Sequence, residues 1–122
     1  RKALYKGIEQ CRKGNRLGQV SKAIYDVAVE NDLGVIRTFV GHGIGRSLHE
    51  DPQVPNYVGP WSSFILDKGL VICLEPMFCL GDYRVSIMKD GWTAITRDRS
   101  LASHFEHTVA VTDDDAKILS LP

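Results

Sequence analysis

The stretch Gly41-His42-Gly43-Ile44-Gly45-Arg46-Ser47-Leu48-His49 restricts the fold more than any other part of the chain. Glycine at every second position frees the backbone and leaves little side chain to pack. Such a segment makes a poor strand interior, because glycine weakens strands. It is expected instead to bring the backbone, and with it His42, close to something else. Two carboxylates downstream, Glu75 and Glu106, lie in apolar runs and are the candidate companions of His42. The trio points to a metal site.

The rest of the chain supplies a frame. Residues 3–12 place Leu4, Ile8 and Cys11 on one helical face, and Lys13-Gly14-Asn15 reads as a stop and turn. From Leu17 the apolar positions Leu17, Val20, Ile24, Val27 and Ala28 follow a helical period. A second helix is therefore expected to about Asn31, ended by Leu33-Gly34. The β-branched run 35–40 predicts a strand leading into the glycine-rich stretch. Residues 50–60 hold Pro52, Pro55 and Pro60, so loop or extended chain is expected there and no helix. Strands are expected over 70–78 until Pro76, over 83–88 and 92–96 with an Asp90-Gly91 hairpin turn between them, over 105–112 and over 117–120. Asp67-Lys68-Gly69 reads as a further turn. Two helices followed by at least five strands imply an α+β fold, with two helices packed on one face of a mainly antiparallel sheet.

A chain of 122 residues with 43% hydrophobic content is one domain's worth of core. Fifteen basic residues balance fifteen acidic ones and form no basic stripe. There is thus no electrostatic signal for nucleic acid or an anionic membrane surface. The apolar runs fall far short of the ~20 residues of a membrane-spanning helix. Three cysteines, an odd number without metal-type spacing, suit a reducing compartment.

Glu75 shares a predicted strand face with Cys73 and Met77, while Ile72 and Leu74 share the other. Both faces look apolar, so its carboxylate is expected to be buried, and it then needs an ion pair or a metal. Arg46 and Arg84 are the candidate ion-pair partners. Glu106 lies on the face of Thr108 and Ala110. One imidazole and two carboxylates suit Mn, Fe, Co or Zn. His49 could face the same cavity as His42 and there bind substrate or move a proton; the alternative is an exposed loop histidine. His107, adjacent to Glu106, points to the opposite face and reads as structural. No role falls to His104. Trp92 either lines a pocket or packs in the core, the commoner fate. Arg97, Asp98 and Arg99 read as a solvated loop. The cysteines read as small buried hydrophobes, with Cys73 near the site.

The strings Gly41 to Arg46, His49 to Val54, Leu74-Glu75-Pro76-Met77, Lys89 to Thr93 and Phe105-Glu106-His107-Thr108 closely resemble the methionine aminopeptidases, in the order and spacing of the type I branch. The resemblance implies the pita-bread fold, of which residues 1–122 would be a single partial domain, the C-terminal half. It implies two divalent metal ions per complete site, with Co, Mn, Fe or Zn all open. His42, Glu75 and Glu106 would be three of the five ligands, Glu106 bridging. Two aspartate ligands would come from the N-terminal half, whose motifs no segment here resembles.

The implied reaction is hydrolysis by a metal-bound hydroxide, releasing the initiator methionine of a nascent polypeptide. Glu75 would carry the water's proton to the leaving amine. His49 would hydrogen-bond the substrate and steady the tetrahedral intermediate. Trp92 would stand at the methionine side-chain pocket, and Leu48 takes the place of a phenylalanine there. Asp67-Lys68-Gly69-Leu70 also departs from the family's turn. The implied partners are a Met-X polypeptide N-terminus and the missing N-terminal half. The implied compartment is the cytoplasm, or an organelle. The isolated chain is expected to be inactive or nearly so. The alternatives are a non-catalytic or weakly metal-binding module on the same fold, and one half of a split enzyme.

Overall fold

A computed structural model describes residues 1–121 of the chain. The helices come first, as the apolar periodicity requires. α1 (Lys2–Ile8) and α2 (Leu17–Val29) bury Leu4, Ile8, Leu17, Val20, Ile24, Val27 and Ala28. α1 is shorter than expected. Its end tightens into i→i+3 bonds, Gln10 N–H to Gly7 O and Cys11 N–H to Ile8 O, and the chain then turns. α2 also stops short of Asn31. Asp32 takes a left-handed conformation (φ 53°), and Leu33 N–H reaches back to Ala28 O at 2.9 Å.

Ten short strands follow among the described residues: β1 (Gly34–Val35), β2 (Gly41–Gly43), β3 (Glu50–Val54), β4 (Val71–Leu74), β5 (Met77–Cys79), β6 (Val85–Ile87), β7 (Ala94–Thr96), β8 (Ala102–His104), β9 (His107–Ala110) and β10 (Lys117–Ile118). Every strand pair is antiparallel. The expected single sheet is three: β10-β9-β4-β2-β3, β1-β5-β8, and the hairpin β6-β7. Pro76 makes the division. It lacks an N–H to continue the ladder, so β4 ends in one sheet and β5 begins in another.

Two expectations about strands fail for physical reasons. The run 35–40 is strand only at its first residue, because the chain leaves β5 after Ile36 to cross to the larger sheet. Arg37 there lies over the rings of Tyr57 and Tyr83. The glycine-rich stretch, expected to avoid strand structure, contains β2, flanked on both sides by neighbours. Its glycines answer to crowding from those neighbours. A Cβ on Gly41 would lie 2.1 Å from Cys73 O, and one on Gly43 would lie 2.2 Å from Asp51 O. The proline-rich segment is extended as expected, with Pro52 in the edge strand β3, where a missing N–H costs least. The exclusion of helix fails at its last residue, since Pro60–Ser63 forms a 3₁₀ turn with proline leading it.

Both helices lie on one face of the five-stranded sheet. Leu4, Leu17, Val20, Ile24, Val54, Ile72, Leu74 and Val109 form one core there, each 1% exposed or less. Along β4 the buried Ile72 and Leu74 alternate with Cys73, and Glu75 follows directly after the strand. The core therefore fixes which residues the other face presents.

Candidate metal centre

The site is assembled by strand register. His42 on β2 pairs with Cys73 on β4, and Cys73 pairs with Thr108 on β9. These three residues form a row across the sheet on the face away from the helices, and the Cys73 thiol lies 3.4 Å from Thr108 Oγ1. Glu75 follows two residues after Cys73. Glu106 precedes Thr108 by two. The two-residue period brings both carboxylates to the row's side of the sheet.

The distances are short. His42 Nε2 lies 3.2 Å from Glu75 Oε1, and both side chains are mostly buried, at 13% and 14% exposed. His42 Nδ1 lies 2.8 Å from Gly43 O, and only a protonated Nδ1 can donate to a carbonyl. In the neutral ring, Nε2 is then an acceptor aimed at a carboxylate, which is also an acceptor. Two acceptors in that position require a proton or a cation between them. A backbone-oriented imidazole with its other nitrogen free is the usual state of a metal-binding histidine. His104 Nε2 lies 3.6 Å from Glu75 Oε2, on the other side of the same carboxylate. Donor atoms of Glu75, His104 and Glu106 lie within 4.8 Å of one another, as do those of His42, Cys73 and Glu106.

The electrostatics agree. Burial, and then the charge of Glu106, pushes the Glu75 carboxyl above its ordinary range, while His42, His104 and His49 oppose the rise. Neither Arg46 nor Arg84 is its ion-pair partner. Arg84 pairs with Asp82 instead. Burial also pushes up the Cys73 thiol, opposed by Thr108 and reinforced by the two glutamates. It therefore stays protonated and is no nucleophile.

His49 faces the site as expected. Its ring centroid lies 4.2 Å from that of His42, and both line an open cavity of about 470 Å³ with Asp51 and Gln53. His107 turns to the helix side, against Tyr5 and Ser120. Trp92 does not line that cavity. It is 88% exposed beside the β6–β7 hairpin turn, where Asp90 accepts from its backbone N–H. It does not pack in the core.

Two residues of the site escape a sequence reading. His104 sits on β8, a strand that the Ala-Ser-His composition does not announce. Asn56 is fully buried, and its Nδ2 donates to Glu75 O at 2.9 Å. Its only signal is a polar residue held next to a proline, Pro55.

Residues 1–113 match the model of metallopeptidase family M24. The chain belongs to that family. It is 47% identical over 119 residues to a methionine aminopeptidase of Borreliella burgdorferi, covering 97% of this chain and 47% of that protein. The crystal structure of a methionine aminopeptidase from Thermotoga maritima superposes with a TM-score of 0.94 at 47% identity, over 98% of this chain and 48% of that one. The prolidase of Pyrococcus horikoshii, 21% identical with a TM-score of 0.67, shares the fold alone. The fold is thus pita-bread, α+β, and the chain resembles the methionine aminopeptidases more than the prolidases. It spans about half the length of the relatives it matches. Membership of M24 implies divalent metal binding, and a paired carboxylate between imidazoles is a donor set that fits it. No helix among the described residues is long and apolar enough to cross a membrane.

Proposed function

We propose that the chain is the C-terminal half of a metallo-aminopeptidase that removes the initiator methionine from nascent polypeptides in the cytoplasm. The observation that carries this is the His42–Glu75 pair, an imidazole nitrogen and a mostly buried carboxylate oxygen 3.2 Å apart on an open sheet face. His42, Glu75 and Glu106 would hold the divalent metal, and the N-terminal half would supply the remaining carboxylates for a second ion. Co, Mn, Fe and Zn all suit the donors. A metal bound there polarises the scissile carbonyl and activates water.

The chain's own residues do the rest. Glu75 accepts the water's proton and returns it to the leaving amine; its raised affinity for a proton suits that shuttle. His49, one ring's width from His42, hydrogen-bonds the substrate carbonyl as it gains charge. Asn56 anchors the Glu75 backbone. Trp92, with Leu48 and Leu101, stays 88%, 68% and 77% exposed, which suits a methionine pocket and a surface closed by the other half.

The test is methionine release from a Met-Ala-Ser peptide with Co(II) or Mn(II), on the natural protein that carries this sequence. Release that His42→Ala and His49→Ala each abolish is expected. No release, or release indifferent to His42→Ala, overturns the proposal. The isolated 122-residue chain is expected to release little.

A further inference from the structure

Glu75 is flanked on both sides, and the sequence motif accounts for only one of them. His42 faces Oε1, and His104 faces Oε2. We infer that His104 is a metal ligand, which joins Glu75 and Glu106 in a donor group for a divalent transition-metal ion on the side of the Glu75 carboxylate away from His42. The inference rests on the metallopeptidase reading of the same face.

Its basis is placement and distance. β8 pairs with β5 so that His104 stands opposite Met77, two residues beyond Glu75. The imidazole is thereby delivered to the carboxylate from a sheet other than the one that carries His42. At 3.6 Å, His104 Nε2 is too far from Glu75 Oε2 for a hydrogen bond. Donors ~2.0–2.1 Å from one tetrahedral ion lie ~3.3–3.4 Å from each other. The His104 Nε2 to Glu75 Oε2 separation, 3.6 Å, is close to that value. Glu106 lies within 4.8 Å of both donor groups and belongs to each. An imidazole added to two carboxylates shifts preference toward Co, Zn and Fe over Mn and leaves a position open for water. His104 is half exposed, with its side chain at 47%, so its replacement leaves the core untouched.

The test is titration of the 122-residue chain with Co(II), followed by visible absorption and by paramagnetic proton NMR. Co(II) binding is expected, with two hyperfine-shifted, solvent-exchangeable imidazole resonances, one each from His42 and His104. His104→Ala and His104→Gln should each weaken Co(II) binding at least about tenfold and remove one of those resonances, with unchanged circular dichroism. Wild-type binding with a single imidazole resonance, or with both variants unaffected, overturns the role of His104 and leaves the metal centre standing. Rescue by glutamine alone means a hydrogen-bonding role, and overturns ligation. Failure of the wild-type chain to bind Co(II) overturns this inference and removes support from the metal centre as well. The NMR count needs no variant, so the outcome does not depend on how the substituted chains fold.

Discussion

The five-stranded sheet has two faces made from the same strands, and they obey different chemistry. The helix side carries Ile72, Leu74 and Val109, none of them exposed, packed on Leu4, Leu17 and Ile24. The open side carries His42, Cys73, Glu75 and Thr108, with Glu106 at its margin. Residues 72–75 alternate between the two. The helix side lowers the free energy of the chain by removing apolar surface from water. The open side holds a mostly buried carboxylate, whose desolvation raises it. A face that costs stability survives because the other face over-determines the backbone beneath it.

If that division is sound, substitutions on the two faces should fail in different ways. The largest effect belongs to Leu74→Ala. It should cost about 2–5 kcal/mol in urea denaturation, while the folded fraction keeps its metal affinity. His42→Ala should do the reverse, weakening Co(II) binding at least about tenfold with little change in the denaturation midpoint. If both variants lose stability equally, the two faces are not independent.

Asn56→Ala sits between the faces. It removes a buried hydrogen bond to the backbone of Glu75 and should cost about 1–3 kcal/mol. Unlike Leu74→Ala, it should also weaken metal binding in the folded protein. The smallest effect, and the one of opposite sign, is expected of Glu75→Gln. Burial and Glu106 hold the Glu75 carboxyl above its ordinary range, so the folded state favours its neutral form. That stability is complete below the ordinary carboxylate pKa and is lost as pH rises through the raised folded value. At neutral pH the metal-free variant should therefore melt at a higher temperature than the wild type, with the advantage fading below about pH 4. A lower melting temperature at neutral pH would show that Glu75 contributes stability without metal.

The two faces also differ in how far the sequence discloses them. The helix side is legible from local periodicity: Leu17, Val20, Ile24, Val27 and Ala28 declare α2 and its buried stripe. The motif residues of the open side are legible because Glu75 and Glu106 are anomalous in apolar runs. What stays hidden is everything decided by pairing. The glycines of β2 look like a loop until Cys73 O and Asp51 O are seen pressing on them. β8 has no β-branched residue, and His104 acquires meaning only through its register with Met77. Residue frequency favours a core position for Trp92, yet it stands 88% exposed beside the hairpin turn.

The most direct measurement is anomalous diffraction at the cobalt edge from crystals of the chain grown with Co(II). A peak is predicted on the open face of the five-stranded sheet, between His42, Glu75 and Glu106, and absent from crystals of His42→Ala. A strong peak elsewhere, or none on that face at saturating Co(II), would contradict the account.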